Sequence, residues 1–467
     1  MKPLRNIARL TVGDFLAKTL SFLVFVYLAR VLGVSSFGVL EFANSVLTYL
    51  LLLADAGIER WGTREAARTG DVRQLVARVV PVRLLLATGA LVVILATLPL
   101  FPPYPQLRTV LALFGLTLFP QAMSLKWVFL GEQKMGMVAR GLVVAQAVFA
   151  IAVILFIHRP ERLALIPLLR LASDSTATAY FAHAFRRAHG SFGFSLDAGW
   201  IKQALGPATS MGLSQAMGLL NYNFDSVLLG FLSGATVVGW YNAAYKPALI
   251  ALALPLTYFI GLYPALSSAY ARGDTAEFGQ LARGSLHLSA VFVAPLVVGG
   301  TLLAAPIINL LYGPAYARSA APFRILLWSA ALVILRGTYA EALRAAGHHK
   351  LDLRCALASA ASNVGLNLLL IPRYGMIGAA SATVAADIVW LGMGYLFFRR
   401  EIASRDALPS LKAPVCGALA MGAFLWVAQP VFWTGRAAIS LCIYLAVLVL
   451  MGNASIRSGL RHLRRTS

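Results

Sequence analysis

The chain has 467 residues, 59% of them hydrophobic and only 12% charged, and its 40 Lys and Arg against 18 Asp and Glu give a net charge of +22. Soluble domains carry about a quarter charged residues, so this composition, with a mean hydropathy of +0.75, excludes an ordinary soluble enzyme. It points to the bilayer as solvent. The apolar stretches are continuous rather than alternating, which excludes a transmembrane barrel and leaves helices as the spanning element.

The N-terminus places Lys2, Arg5 and Arg9 before an apolar run, as a signal peptide does. The run holds Asp14 and Lys18 and ends in Arg30 without a small-x-small site, so it reads as an uncleaved first span. Apolar runs near the 20 residues that a crossing needs then predict six helices over 7–29, 37–53, 79–100, 110–130, 137–157 and 163–181. A second six follow over 205–232, 238–262, 286–311, 325–343, 353–371 and 377–398, and a last hairpin over 413–427 and 433–451. The fold class is therefore an all-α polytopic membrane protein of about 14 transmembrane helices. It is organised as a six-helix bundle (1–190), a second six-helix bundle (200–400), a transmembrane hairpin (410–453) and a basic tail (454–467).

Charge distribution orients these spans. The segment after the second span carries Arg60, Arg64, Arg68, Arg73 and Arg78, and the tail carries Arg457, Arg461, Arg464 and Arg465. The opposite loops hold only Arg30, Arg108, Arg159, Arg162, Arg318, Arg373 and Arg436. Cytoplasmic loops collect Lys and Arg, so both termini are expected in the cytoplasm. In a soluble chain such a basic excess would suggest nucleic acid; here it needs no such partner.

An internal repeat supports two similar halves. The loop ARTGDVRQLVAR (67–78) follows the second span, and ARGDTAEFGQLAR (271–283) follows the eighth. Phe37-Gly38 and Val238-Gly239 open those same two spans. Six helices per unit give both halves the same orientation, and parallel repeats of this kind are a transporter signature with the substrate between them.

Enzyme signals are missing. There is no Gly-x4-Gly-Lys-Ser/Thr loop for ATP and no His-Glu-x-x-His. The three cysteines, Cys355, Cys416 and Cys442, have neither disulfide nor zinc spacing. No cofactor or metal is expected.

Ionisable groups within spans cost about 2.5–3.5 kcal/mol each on the insertion scale and normally face a cavity or a partner. Lys18, Arg83, Lys126, Arg170, Lys246, Arg324 and Arg336 are the basic ones. Asp14 with Lys18, and Arg170 with Asp174, are spaced to pair along one helix. Arg83 and Arg324 lie near predicted helix ends, where they either snorkel to the headgroups or face inward. Lys246 and Arg336 have no acidic neighbour on their own helices and are candidates to meet an anion. Asn221, Tyr241, Asn242 and Tyr245 offer hydrogen bonds and aromatic faces, Trp240 and Tyr241 reading equally well as interfacial aromatics. Asp225, Asp14, Glu41, Glu341 and Asp387 are candidates to take a coupling H⁺ or Na⁺ or to balance the cations.

The segments YLARVLGVSSFG (27–38), EFAN (41–44), LADAG (53–57) and GTREAA (62–67), with VGWYNAAYK (238–246) in the second half, resemble the pattern of the polysaccharide-repeat (O-antigen and exopolysaccharide) flippases. These belong to the multidrug/oligosaccharidyl-lipid/polysaccharide exporter superfamily. The resemblance implies two bundles around a cationic cavity that opens alternately to either side of the inner (cytoplasmic) membrane. It implies an undecaprenyl-diphosphate-linked oligosaccharide as substrate, an ion gradient as driving force, a monomer, and glycan polymerase or assembly proteins as partners. Arg30, Lys18, Lys246 and Arg336 would then meet the diphosphate, and Asn221, Asn242, Tyr241 and Tyr245 the sugars. The final hairpin departs from the twelve-span pattern toward lipid II flippases, so that branch stays open. A drug antiporter of the same superfamily would need acidic rather than basic cavity residues. A membrane glycan polymerase or ligase would need a large extracytoplasmic loop, and the longest one here runs only from about Tyr312 to Pro322.

Overall fold

The computed structural model describes residues 2–69, 71–402, 411–428 and 432–463; the side chains of 2–9, 210, 213–222, 254, 256–257, 260 and 452–463 lie outside that description. Among the described residues every regular element is a helix. Seven helical stretches are long and apolar enough to cross a bilayer, and the chain divides into two compact units at Asn242/Ala243.

The first unit opens with α1 (Lys2–Asp55), whose backbone breaks at Gly33 (φ 70°, ψ 170°). Phe25 and Phe37 then meet edge to face at 4.7 Å. Twelve residues of straight helix would hold them about 18 Å apart, so the helix folds back on itself at Gly33, and the two predicted spans are one hairpin. A positive φ at this turn suits glycine, which pays no Cβ penalty there. There follow α2 (Ile58–Arg68), α3 (Val72–Thr97), α4 (Leu107–Leu116), α5 (Leu118–Met123), α6 (Lys126–Gly131), α7 (Met135–Phe156), α8 (Leu165–His189) and α9 (Ala198–Leu232). The opening turns of α10 (Ala235–Ile250) complete the unit. A core of Trp61, Val76, Val79, Trp127, Phe129, Phe181 and Phe185 ties α2, α3, α6 and α8 together.

The predicted fourth helix (110–130) is corrected here into α4, α5 and α6. Thr117 turns its hydroxyl back on the Phe114 carbonyl at 2.7 Å, Pro120 has no N–H to give, and Ser124 is extended (ψ 125°). That last break carries Lys126 out of the predicted span to the head of a new, short helix. The predicted continuous eighth span also ends early: α10 stops at Ile250, three residues after Pro247.

The second unit continues with α11 (Ala253–Ala271), α12 (Thr275–Leu302), α13 (Ala304–Tyr312), α14 (Ala320–Ala345), α15 (His349–Glu401), α16 (Lys412–Val427) and α17 (Trp433–Leu463). In α15 the break is at Gly375 (φ 53°, ψ −130°). A carbon added at Gly378 would lie 2.5 Å from the Leu370 carbonyl oxygen, so α15 also folds back into a hairpin. α14 packs against α11, α12 and α15, while α16 and α17 form a hairpin seated on α12, with Tyr444 donating to the Val291 carbonyl at 2.6 Å. α17 runs past the predicted end at 451 to Leu463, into the basic tail.

The repeat seen in the sequence has a structural counterpart. Asp71 accepts from Gln74 N at 3.0 Å and caps α3; Asp274 accepts from Glu277 N at 2.8 Å and caps α12. Each such cap contributes about 1 kcal/mol. The repeat boundary read at 190–200 falls inside the first unit, because α9 packs on α1 and α2.

The glycines at matching positions of the repeat touch each other. A carbon added at Gly38 would sit 1.8 Å from the Ala235 carbonyl oxygen and 2.9 Å from Gly239 N, and one added at Gly239 would sit 2.2 Å from the Val34 carbonyl oxygen. Small residues allow such close backbone approach between membrane helices. Gly38→Ala therefore lowers the melting temperature of the detergent-solubilised protein, at a cost of about 1–3 kcal/mol for overpacking. Gly89→Ala, with nothing within 4 Å of the added carbon, leaves the melting curve unchanged.

Candidate functional site

Inside the first unit lies a cavity of about 560 Å³, lined by the end of α1, by α2, α3, α5 and α6. Its polar wall is built from Thr48, Asp55, Glu59, Arg60, Thr63, Arg83, Gln121 and Lys126. Three cations face two carboxylates.

Arg83 is the anchor of this wall. Only 4% exposed, it does not snorkel to the headgroups as one of its two sequence readings allowed. Nη2 lies 3.4 Å from Asp55 Oδ1 and 3.8 Å from Glu59 Oε2, and Nη1 donates to the Ser124 carbonyl at 3.3 Å. Its Nε finds no acceptor. Glu59 turns its other oxygen to Lys126 Nζ at 2.7 Å. Asp55 is held from the backbone, accepting Glu59 N at 3.1 Å where the chain enters α2 behind Gly57 (φ 82°). Burial by itself would raise the Glu59 pKa, but the charges of Lys126 and Arg83 outweigh it and hold the carboxyl below the ordinary glutamate range. Glu59 is thus an anion at neutral pH.

The network continues behind the cavity. Gln121 donates to Asp174 at 3.1 Å, and Asp174 pairs with Arg170 at 3.2 Å, as its spacing along the helix predicts. The Arg170 guanidinium also lies over the Phe149 ring at 5.5 Å.

The sequence-derived candidates fall elsewhere. Lys18 pairs with Asp14 at 2.7 Å, both exposed; Arg30 is exposed and Lys246 half-buried. Asp225 is fully buried and accepts a short hydrogen bond from the Tyr241 hydroxyl. Asn242 donates to Ser226 Oγ and to the Val238 carbonyl, both at 3.1 Å. Tyr241 and Asn242 are therefore interior residues bonded to α9 and α10, not interfacial aromatics or open sugar platforms. Glu41 and Tyr245 are buried too. The Asn221 side chain lies outside the described residues.

In the second unit the expectation that Arg336 lacks an acidic partner is corrected. The acidic residue of its own helix, Glu341, faces Arg344 instead, and α15 brings Asp387 to 3.5 Å and Trp390 beneath the guanidinium at 5.1 Å. Ser329 donates to the second Asp387 oxygen at 2.5 Å. Glu341 pairs with Arg344 at 2.7 Å. Arg324 is exposed, with Nε donating to the Thr301 carbonyl at 3.2 Å.

Sequence reasoning noted Lys126 and Arg83 singly and missed Asp55 and Glu59. Their four-residue spacing was a usable signal, hidden by the intervening Gly57, which reads as a helix end.

Comparison with known proteins places this geometry. The family described as "Polysaccharide biosynthesis protein" matches residues 4–270, and the family described as "Lipid II flippase MurJ" matches residues 192–447. The chain is 23% identical over 411 residues to a protein named "Putative O-antigen transporter" from Escherichia coli (strain K12), covering 85% of this chain and 97% of that one. Its fold is similar to the lipid II flippase MurJ in an inward closed conformation, with a TM-score of 0.80 at 13% identity over 96% and 99% of the two chains. It is also similar to an inward-facing multidrug resistance MATE family transporter, with a TM-score of 0.65 at 14% identity over 84% and 97%. The similar proteins are transporters and flippases rather than enzymes, and the chain is a multi-pass membrane protein.

Because Arg83 is sealed against two carboxylates, removing it leaves uncompensated charge in the interior. Arg83→Met lowers stability by about 3–5 kcal/mol, the cost of breaking a buried pair. Adding Asp55→Asn and Glu59→Gln to the same chain restores most of that loss, as read from melting curves in detergent.

Proposed function

Since the chain belongs to the polysaccharide biosynthesis protein family, the Wzx-like flippases of the multidrug/oligosaccharidyl-lipid/polysaccharide exporter superfamily, we propose that it moves an undecaprenyl-diphosphate-linked oligosaccharide from the cytoplasmic to the outer leaflet of the inner membrane. The observation that carries this reading is the charged cavity of the first unit. A diphosphate on a polyprenyl tail needs cations held within apolar surroundings, and Arg60, Arg83 and Lys126 supply three of them beside neutral hydrogen-bonding groups, Thr48, Thr63 and Gln121. A cavity for a cationic drug would carry the opposite excess. The lipid tail can stay in the bilayer, so only the headgroup needs such a site.

On this reading the chain crosses the membrane 14 times with both termini in the cytoplasm. The basic segment from Arg60 to Arg78 then marks the cavity end of the first unit as cytoplasmic. Arg30 and Lys246 serve as further cations on the headgroup's path, and an H⁺ or Na⁺ gradient drives the cycle by alternating access. Asp225, buried and accepting from the Tyr241 hydroxyl, is the carboxylate suited to carry the coupling ion, whereas Asp387 is matched by Arg336.

A second reading, a lipid II-type flippase, is favoured by the match of residues 192–447 to the lipid II flippase family. Both substrates share the polyprenyl diphosphate and differ in the glycan, so a pair of strains separates them. Rescue of a strain lacking its O-antigen flippase, without rescue of one depleted of its lipid II flippase, supports the first reading; the reverse pattern replaces it.

Arg30→Ala and Lys246→Ala each abolish that rescue while membrane levels stay at wild type, measured by immunoblot. Full rescue by both removes these two residues from the transport path. In proteoliposomes, dissipating the proton and sodium gradients with ionophores stops net transport; turnover that continues unchanged dismisses ion coupling.

A further inference from the structure

The two carboxylates of the cavity are held in different ways. Asp55 is fixed at the entry to α2, where its side chain accepts Glu59 N at 3.1 Å as well as facing Arg83. Glu59, the second residue of α2, is held at its carboxylate by side chains, Lys126 at 2.7 Å and Arg83 at 3.8 Å. Rotating its flexible side chain would free Lys126 and leave Arg83 to Asp55 alone, without disturbing a backbone hydrogen bond. Releasing Asp55 would uncap a helix.

Arg83 points the same way. It lines the cavity, is 4% exposed, and its Nε has no acceptor. That nitrogen is itself buried, so Arg83 acts at the cavity wall as a positive charge shared by Asp55 and Glu59. Its neighbours Lys126 and Arg60 line the same cavity. Within the first unit, therefore, an incoming group with several anionic oxygens meets Arg83, Lys126 and Arg60, with Glu59 standing where those oxygens would bind.

Resting on the flippase reading above, we propose that Glu59 is a resident anion that the diphosphate of the substrate displaces from Lys126 and Arg83. While the site is empty, Glu59 balances Lys126 and shares Arg83 with Asp55. When a diphosphate enters, its oxygens replace the carboxylate, and the returning carboxylate later competes the headgroup off. Affinity is set by this exchange, which keeps the site from trapping its substrate or retaining phosphate. Glu59 is a specificity and release residue, because a ligand must bring more anionic oxygens than the one carboxylate it replaces.

The test measures binding of farnesyl diphosphate and inorganic pyrophosphate to the purified full chain, with anionic phosphatidylglycerol in nanodiscs as the bilayer-lipid arm. Glu59→Gln removes the competitor but keeps the shape. It binds both diphosphates about tenfold more tightly than wild type, as loss of one charge-assisted bond to Lys126 implies, while its flipping rate in proteoliposomes falls. Glu65→Gln, on the same helix but outside the cavity wall, removes the same charge and leaves affinity unchanged. Lys126→Met in the Glu59→Gln background cancels the gain. If Glu59→Gln does not fold, Glu59→Asp draws the carboxylate back by one carbon and gives a smaller gain of the same sign. Unchanged affinity in the Glu59 variant, an equal gain in Glu65→Gln, or a gain confined to phosphatidylglycerol overturns the proposal. If wild-type vesicles still flip the lipid-linked oligosaccharide in that event, only the role of Glu59 falls; if they flip none, the function itself is wrong.

Discussion

A guanidinium kept from water inside an apolar helical unit is the constraint on which the first unit is arranged. An isolated ion there would cost several kcal/mol even after relaxation, and the chain answers with Asp55, Glu59 and the Ser124 carbonyl around Arg83. None of these partners shares a helix with Arg83. Two interruptions bring them in: the turn at Ala56-Gly57, which starts α2 across the end of α1, and the extended Ser124, which ends α5. The second interruption also swings Lys126 onto Glu59. Gly57 is buried, and both interruptions adjoin residues that line the cavity.

The second unit meets the same constraint with fewer groups. Arg336 on α14 is matched by Asp387 on α15 and covered by Trp390, and Ser329 fills the remaining carboxylate oxygen. The pair is closed on itself: its partners are a carboxylate, a hydroxyl and an aromatic face. The first unit instead leaves room beside its charges, and Lys126 is a third exposed within the same cluster. That difference in packing, rather than the presence of buried charge, distinguishes the cavity as a place where a ligand can take part in the charge balance.

Glycines set the geometry that makes this possible. Gly33 and Gly375 turn two 50-residue-class helices into hairpins through positive φ. Gly38 and Gly239 let the opening turns of two repeat-related helices meet at backbone distance. Membrane helices gain little from the hydrophobic effect once inserted and associate through close packing and polar contacts, so these contacts carry much of the unit's definition. The capping aspartates Asp71 and Asp274 place the returning helices α3 and α12 in the same way in both halves.

Much of the fold was legible in the residue order because a bilayer demands long apolar runs and sorts basic loops to one side. Those are local, additive properties, visible without knowing any contact. Hydropathy located the long apolar helices but not the polar α2 or the breaks within 110–130, and the turn signals of the repeat loops marked the returns into α3 and α12, whose first turns lie seven and eleven residues before the predicted starts at 79 and 286. The flippase resemblance was legible for a related reason, since the motifs around Gly38 and Gly239 are short backbone-packing signals. Pairing was legible only along one helix, as for Asp14 with Lys18 and Arg170 with Asp174. The partners of Arg83 and Arg336 were not, nor was the interior bonding of Tyr241 to Asp225, because each joins residues on different helices whose facing sides no periodicity specifies. Only tertiary packing decides which cation is sealed, which lines a cavity and which carboxylate can leave, since in a low-dielectric interior these outcomes depend on distances of a few ångströms between elements.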